Sequence, residues 1–185
     1  MPVEYKSADN IDYNIYRAIN SMYTSANCII KNYLNKDNLF EANEIIDGIY
    51  LGNINSVYDI KKLKELGITH IISVLSGFIP PYPEDFDYLV INAYDTENTN
   101  LLKTFETANK FIDETLYENN GKVLIHCMAG RSRSATILAA FIIKNFGMDV
   151  KNSIESIKIK RNIVEPNKSF LNQLNIYYRE YYNHS

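Results

Sequence analysis

Apolar positions along this chain follow two periods, and their alternation predicts its layout. Short apolar or alternating runs, rich in β-branched residues, read as strands at 69–75, 86–91 and 123–125. The segment 44–52 reads as two short strands around the Asp47-Gly48 turn. Elsewhere apolar residues recur every three or four positions, which predicts helices. Val57, Ile60, Leu63 and Leu66 mark one over 56–66, ended by Gly67. Leu102, Phe105, Ala108, Ile112 and Leu116 mark a second over 101–117. The stretch 134–146 is apolar on nearly every side and predicts a buried helix. A short helix over 150–160 follows, and Glu165-Pro166-Asn167 opens the last one, whose inner side is Phe170, Leu171, Leu174, Tyr177, Tyr178 and Tyr181. The loop 76–87, with Gly77, Pro80, Pro81 and Pro83, reads as rigid, and 92–100 as polar.

Strands alternating with helices predict an α/β fold: a central, largely parallel sheet flanked by helices in three layers. Ahead of it, Ile11, Ile15, Ala18, Ile19, Met22, Ala26, Ile29, Ile30 and Leu34 predict an amphipathic helix, or two short ones. The layout is thus an N-terminal helical extension over 1–40 and one domain over 41–185. Amphipathicity alone permits that extension either to pack on its own domain or to form a homodimer.

Composition narrows the class. The chain has 185 residues, 46% of them hydrophobic and 22% charged, with a net charge of −3. A nucleic-acid partner would call for a basic domain, so none is expected. No apolar run reaches membrane-spanning length, the first nine residues do not read as a signal peptide, and Pro2 excludes myristoylation. Cys28 and Cys127 lie far apart, which argues against a disulfide framework. A reducing compartment, the cytoplasm or the nucleus, is expected. Cys28, on the amphipathic extension, reads as a core residue.

The candidate chemistry sits between strand 123–125 and helix 134–146. The strand ends in His126-Cys127, a compact loop carries Gly130, and Arg133-Ser134 opens the helix. Strand, loop and helix N-terminus in succession form a phosphate site, because free N–H groups and the helix dipole point at the anion. That field lowers a thiol pKa from about 8.5 into the range of roughly 3.5–7.5, which makes Cys127 a nucleophile near neutral pH. The planar fork of Arg133 matches two phosphate oxygens. Ser134 or Ser132 can give a hydroxyl to the sulfur. A bare Cys-x5-Arg spacing is weak and a buried structural cysteine is the bland alternative, but the whole string favours chemistry. Expelling an alkoxide or phenoxide also needs a proton donor. Asp95, in the polar loop after strand 86–91, is the candidate and Glu97 its competitor. Asp85 and Asp87 precede that strand and fall at its wrong end. Loop and arginine supply the positive field, so no metal and no cofactor is expected.

His126-Cys127-x2-Gly130-x2-Arg133-Ser134 resembles the active-site loop of cysteine-dependent protein phosphatases. The form Ala129-Gly130-Arg131-Ser132-Arg133-Ser134 resembles the dual-specificity branch, and Pro166-Asn167-x2-Phe170-x2-Gln173-Leu174 resembles its C-terminal helix. The resemblance implies a phosphatase-like sandwich over 41–185. It implies Cys127 as nucleophile, Arg133 as phosphate ligand and Asp95 as general acid and then base. His126, Met128, Ala129, Gly130, Arg131, Ser132 and Ser134 would surround the phosphate. Phosphorylated proteins are the implied substrates, on tyrosine and on serine or threonine. Some relatives of this kind dimerise through an N-terminal helix.

Alternatives within and beyond the superfamily are weaker. Arg131 also occurs in the loop of phosphatidylglycerophosphate-like phospholipid phosphatases, which makes an anionic lipid the alternative substrate. Met128 stands where phosphoinositide phosphatases carry lysine. A phosphoprotein-binding pseudophosphatase is disfavoured because Cys127, Arg133 and Asp95 are all present, and a sulfurtransferase-like domain finds no support in the loop. One departure is Arg161-Asn162, where the family often has Arg-Pro. It is expected to loosen a turn and leave the chemistry alone. Lys158, Lys160 and Arg161 read as a solvated basic face.

Overall fold

In the computed structural model, residues 3–4 and 40–182 are described. The helix expected over 11–34, Cys28 and any dimer contact made there lie outside the described residues. The strands are β1 Val3–Glu4, β2 Ala42–Ile46, β3 Ile49–Gly52, β4 Ile68–Val74, β5 Asp87–Ile91 and β6 Lys122–His126. They form one sheet in the order β1-β5-β4-β6-β3-β2. The four inner strands are parallel and both edge pairings are antiparallel.

Parallel inner strands are covered on both faces, which is why they read as continuous apolar runs. Their side chains still alternate. Ile72, Val74, Leu89, Ile91, Val123 and Ile125 enter one core, and Ile71, Tyr88, Val90 and Leu124 enter the other. The first core is closed by α2 Phe105–Asp113, α3 Arg133–Phe146, α4 Val150–Lys160 and α5 Lys168–Tyr182. The second is closed by α1 Ile60–Leu66 and the short 3-10 turn Ile54–Tyr58 before it. The expected α/β sandwich of three layers is therefore present. α3 is its central helix, buried from Ser134 to Ile143. His70, with no role assigned from sequence, is 8% exposed and bonds Thr69 Oγ1 at 2.8 Å.

Three element boundaries differ from the apolar pattern, the first and the last for a polar reason. The segment 56–66 is not one helix. Asn53 accepts from Asn55 N and Asp59 accepts from Lys62 N, so two successive side-chain caps restart the chain as a 3-10 turn and then α1. The segment 101–117 enters through a 3-10 turn, Leu102–Thr104, and leaves through a wide turn, Glu114–Glu118. The last helix begins at Lys168 and not at Glu165. Residues 165–167 are drawn off instead to the loop after β6, where Glu165 N donates to Arg131 O at 2.9 Å.

Candidate active site

Parallel β3, β4, β5 and β6 end on the same edge of the sheet, and the crevice outside those carboxyl ends is where open α/β sheets bind ligands. β6 delivers Cys127 there and β5 delivers the loop that carries Asp95. The two strands are not neighbours, since β4 lies between them, so the loops must reach across it.

The loop after β6 is shaped from outside. Its carbonyls from Met128 to Ser132 are each taken by a donor. Met128 O accepts from Ile54 N at 3.1 Å and Arg131 O from Glu165 N at 2.9 Å. Ser132 O accepts from Thr136 N at 2.8 Å. Ala129 O and Gly130 O accept from the Arg161 guanidinium at 3.1 and 2.8 Å. The N–H groups of Met128, Ala129, Arg131 and Ser132 have no acceptor among the described residues. A run of inward N–H groups of this kind is an anion cradle. Gly130 makes the tight bend at φ 65°, and a Cβ there would lie 2.5 Å from Gly52 O. Only glycine fits both the angle and the space.

Cys127 lies at the floor of the cradle, 1% exposed. Its Sγ accepts from Ser134 Oγ at 3.1 Å and from Gly130 N at 3.3 Å. Burial pushes its thiol pKa up, but the Ser134 hydroxyl and N–H, the Arg133 charge and the Gly130 N–H outweigh it, and the net shift is downward. Of the two serines considered for the sulfur, Ser134 makes that contact. Ser132 Oγ instead donates to Asp95 Oδ1 at 2.9 Å. Arg133 opens α3 with its side chain 11% exposed. Its Nη1 donates to Ala93 O at 3.2 Å, and its Nε stands 3.6 Å from Asp95 Oδ2, too far for a hydrogen bond.

Asp95 Oδ1 also accepts from Asn167 Nδ2 at 2.9 Å. Further along the same loop, Ser169 Oγ donates to Glu97 O at 2.8 Å and Gln173 Nε2 to Thr99 O at 2.8 Å. Gln173 Oε1 accepts from Leu101 N and Leu102 N at 2.7 and 2.9 Å. Asn167 and the first two turns of α5 thus hold the Asp95 loop, which sequence reasoning did not foresee. Glu97, the competitor to Asp95, enters through its backbone carbonyl. Loss of one hydrogen bond costs about 1 kcal/mol. Asn167→Ala is therefore expected to slow hydrolysis of a poor-leaving-group phosphate about fivefold, with far less effect on a nitrophenyl ester. Steady-state kinetics on both esters check it, and equal slowing would contradict it.

His126 is fully buried, with Nε2 2.7 Å from Ser73 Oγ and its ring edge-on to Phe78 at 5.1 Å. Burial, with the Arg133 charge, pulls its pKa from 6.5 down to about 3, against an opposing pull from the Cys127 backbone. It is a neutral support of the loop. The unfolded chain takes up this proton below pH 6.5 and the folded one only near 3, so stability falls as pH drops through that window. The slope contributed is up to about 1.4 kcal/mol per pH unit. Denaturant unfolding across this pH range checks it: His126→Asn should flatten the dependence, and an unchanged slope would contradict it.

Arg131 is ion-paired with Glu165, both being exposed. Arg161, expected on a solvated face, is 4% exposed and lies behind the cradle. The turn at Arg161-Asn162 is not loosened by the missing proline, for Val164 N donates to Arg161 O at 3.2 Å. Lys158 and Lys160 are exposed as expected. Among the described residues no group of His, Cys, Asp and Glu side chains could hold a metal ion, and no helix is long and apolar enough to cross a membrane.

Comparison with known proteins gives three findings. A family model described as dual specificity phosphatase, catalytic domain, matches residues 49–180. Dual specificity protein phosphatase 1 of Arabidopsis thaliana is 39% identical over 130 residues, which is 70% of this chain and 65% of that protein. Dual specificity protein phosphatase 1B of the same plant is 36% identical over 134 residues, 72% of this chain and 80% of that protein. The crystal structure of the human tyrosine phosphatase-like serine/threonine/tyrosine-interacting protein superposes with a TM-score of 0.74 at 34% identity, covering 76% of this chain and 97% of that one. The chain thus spans from about two thirds to four fifths of these two plant relatives.

Proposed function

This chain belongs to the dual specificity phosphatase family, and from that premise we propose that it hydrolyses phosphomonoesters on proteins, on tyrosine and on serine or threonine. The observation that carries the reading is the thiol of Cys127 on the floor of a cradle of free N–H groups, its pKa lowered by Ser134, Arg133 and Gly130.

In the first step the Cys127 thiolate attacks phosphorus in line. The S–P bond forms as the bond to the leaving oxygen breaks, and Asp95 gives that oxygen its proton. In the second step water attacks the phosphocysteine and gives its proton to the Asp95 carboxylate. The S–P bond breaks, and inorganic phosphate leaves with the thiolate restored. Arg133 and the N–H groups of Met128 to Arg133 hold the equatorial oxygens throughout. Ser134 stabilises the thiolate as it leaves. Ser132 and Asn167 hold Asp95 in place, and His126 supports the loop. A reducing compartment keeps a catalytic thiolate from oxidation, so the cytoplasm or nucleus suits this protein.

An anionic phospholipid is the second reading. The Arg131–Glu165 pair speaks against it, because the extra charge in the loop is already matched at the rim. Assay of phosphotyrosine peptides, phosphoserine and phosphothreonine peptides and phosphatidylglycerophosphate side by side tests both. Turnover is expected on both peptide classes and to exceed that on lipid. A preference for lipid would select the second reading, and peptide binding without turnover would make the protein a binding module.

A further inference from the structure

Resting on that reading of the cradle, we propose that Arg161 is a positioning residue for the phosphate: its guanidinium holds the carbonyls of Ala129 and Gly130 outward and so turns the next two N–H groups inward, that of Gly130 to the Cys127 sulfur and that of Arg131 to the bound oxyanion. Arg161 follows α4 and donates through Nε to Gly130 O and through Nη2 to Ala129 O. A peptide unit is planar and trans, so its C=O and N–H point in opposite directions. Holding Ala129 O outward turns Gly130 N–H inward, and that N–H is the one found donating to Cys127 Sγ at 3.3 Å. Holding Gly130 O outward turns Arg131 N–H inward in the same way. Without a donor behind them these two units could rotate, and a carbonyl dipole would then face the phosphate and the thiolate.

The surroundings fit this task. Glu41 Oε1 meets Nη2 at 2.7 Å and Asn43 Oδ1 accepts from Nη1 at 2.9 Å. The buried charge is thereby paired, as burial demands. Glu41 is itself fixed by Asn53 Nδ2 at 2.6 Å. The packing leaves no slack, since a Cβ on Gly130 would lie 2.8 Å from Arg161 Nη2. Arginine suits the position for a geometric reason. Its planar fork donates from three nitrogens to four acceptors, the two carbonyls, Glu41 and Asn43, whereas an ammonium has three N–H groups on one nitrogen.

The test uses the full chain with Arg161→Met and Arg161→Lys. Three quantities are read: inhibition by orthovanadate, the pH profile of Cys127 alkylation by iodoacetamide, and thermal unfolding. Losing one preorganised donor at an oxyanion costs about 10²–10³ in rate. Vanadate inhibition is expected to weaken by at least about tenfold in Arg161→Met, with the alkylation midpoint moved to higher pH. Arg161→Lys should recover only part of the affinity, because three donors on one nitrogen cannot serve both carbonyls together with Glu41 and Asn43. If Arg161→Met does not fold, Arg161→Lys carries the test alone. Full vanadate affinity with an unchanged alkylation profile in Arg161→Lys overturns the proposal. If the unaltered protein neither binds vanadate nor hydrolyses aryl phosphates, it is the phosphatase reading that fails.

Discussion

Cys127→Ser is expected to lower turnover of an aryl phosphate by at least about 10⁴-fold while an oxyanion still binds. The polar groups around Sγ, the Ser134 hydroxyl and N–H, the guanidinium of Arg133 and the Gly130 N–H, stabilise a negative charge and outweigh the burial that opposes it. A thiol responds by ionising more readily. A serine hydroxyl in the same place keeps its proton and is a far weaker nucleophile. Sγ is almost fully buried and the replacement is close in size, so the fold should persist. The cradle is backbone and its outer donors are untouched, so phosphate or vanadate should bind as well as before or better, one negative charge having been removed from the floor. Stopped-assay turnover and calorimetric phosphate binding check the two halves. Undiminished turnover would defeat the mechanism. Loss of binding together with turnover would show that the cradle depends on the thiolate.

Asp95→Asn is expected to slow poor leaving groups by about 10²–10⁴-fold and a nitrophenyl ester much less, the usual range for general acid catalysis. The distinction follows from the leaving oxygen. An alkoxide is too basic to depart without a proton, whereas a nitrophenolate departs unaided. Asparagine keeps an oxygen that can accept from Ser132 Oγ and Asn167 Nδ2, so the loop should hold its place. A plot of log rate against leaving-group pKa should steepen in the variant. A parallel downward displacement of that plot would mean that Asp95 acts by holding structure and not by donating a proton.

The Asn167→Ala and Asp95→Asn variants separate placement from chemistry, for they act on one carboxyl. Asn167→Ala removes one of two donors to Asp95 and leaves the proton, so its effect is a fraction of the other. The double variant should then lose little beyond Asp95→Asn alone, because the residue being placed has already lost its function.

Much of this protein could be read along the chain. β6, Cys127, Gly130, Arg133 and α3 are contiguous, and strand, bend and helix N-terminus are written in apolar period and residue type over about fifteen positions. A single local segment therefore declared the anion cradle, the thiol and the arginine. The layering was legible for the same reason, since the strands stand out as short apolar runs and most helices show a period of three to four. Asp95 was legible as an acidic residue after a strand, and its competitor could not be dismissed by position alone.

Tertiary structure decided what depends on meetings between distant residues. The order β5-β4-β6 keeps the two functional loops from being neighbours, and side chains cross the gap: Ser132 to Asp95, Arg133 to Ala93 O, and Asn167 to Asp95 from the start of α5. Ser132 and Ser134 are equivalent in composition. The start of α3 separates them, turning Ser134 to the sulfur and Ser132 to Asp95. Arg161 shows the difference most plainly. Val150, Ile154, Ile157 and Arg161 step by four, three and four, so the helical period did place Arg161 on the buried face. A charged residue at such a position reads as solvated because burial of a charge is costly. That cost is met by Glu41, Asn43 and two loop carbonyls, all from other parts of the chain. Periodicity reports which way a side chain points. It carries no record of what waits there, because hydrogen bonds between remote segments exist only once the chain has folded.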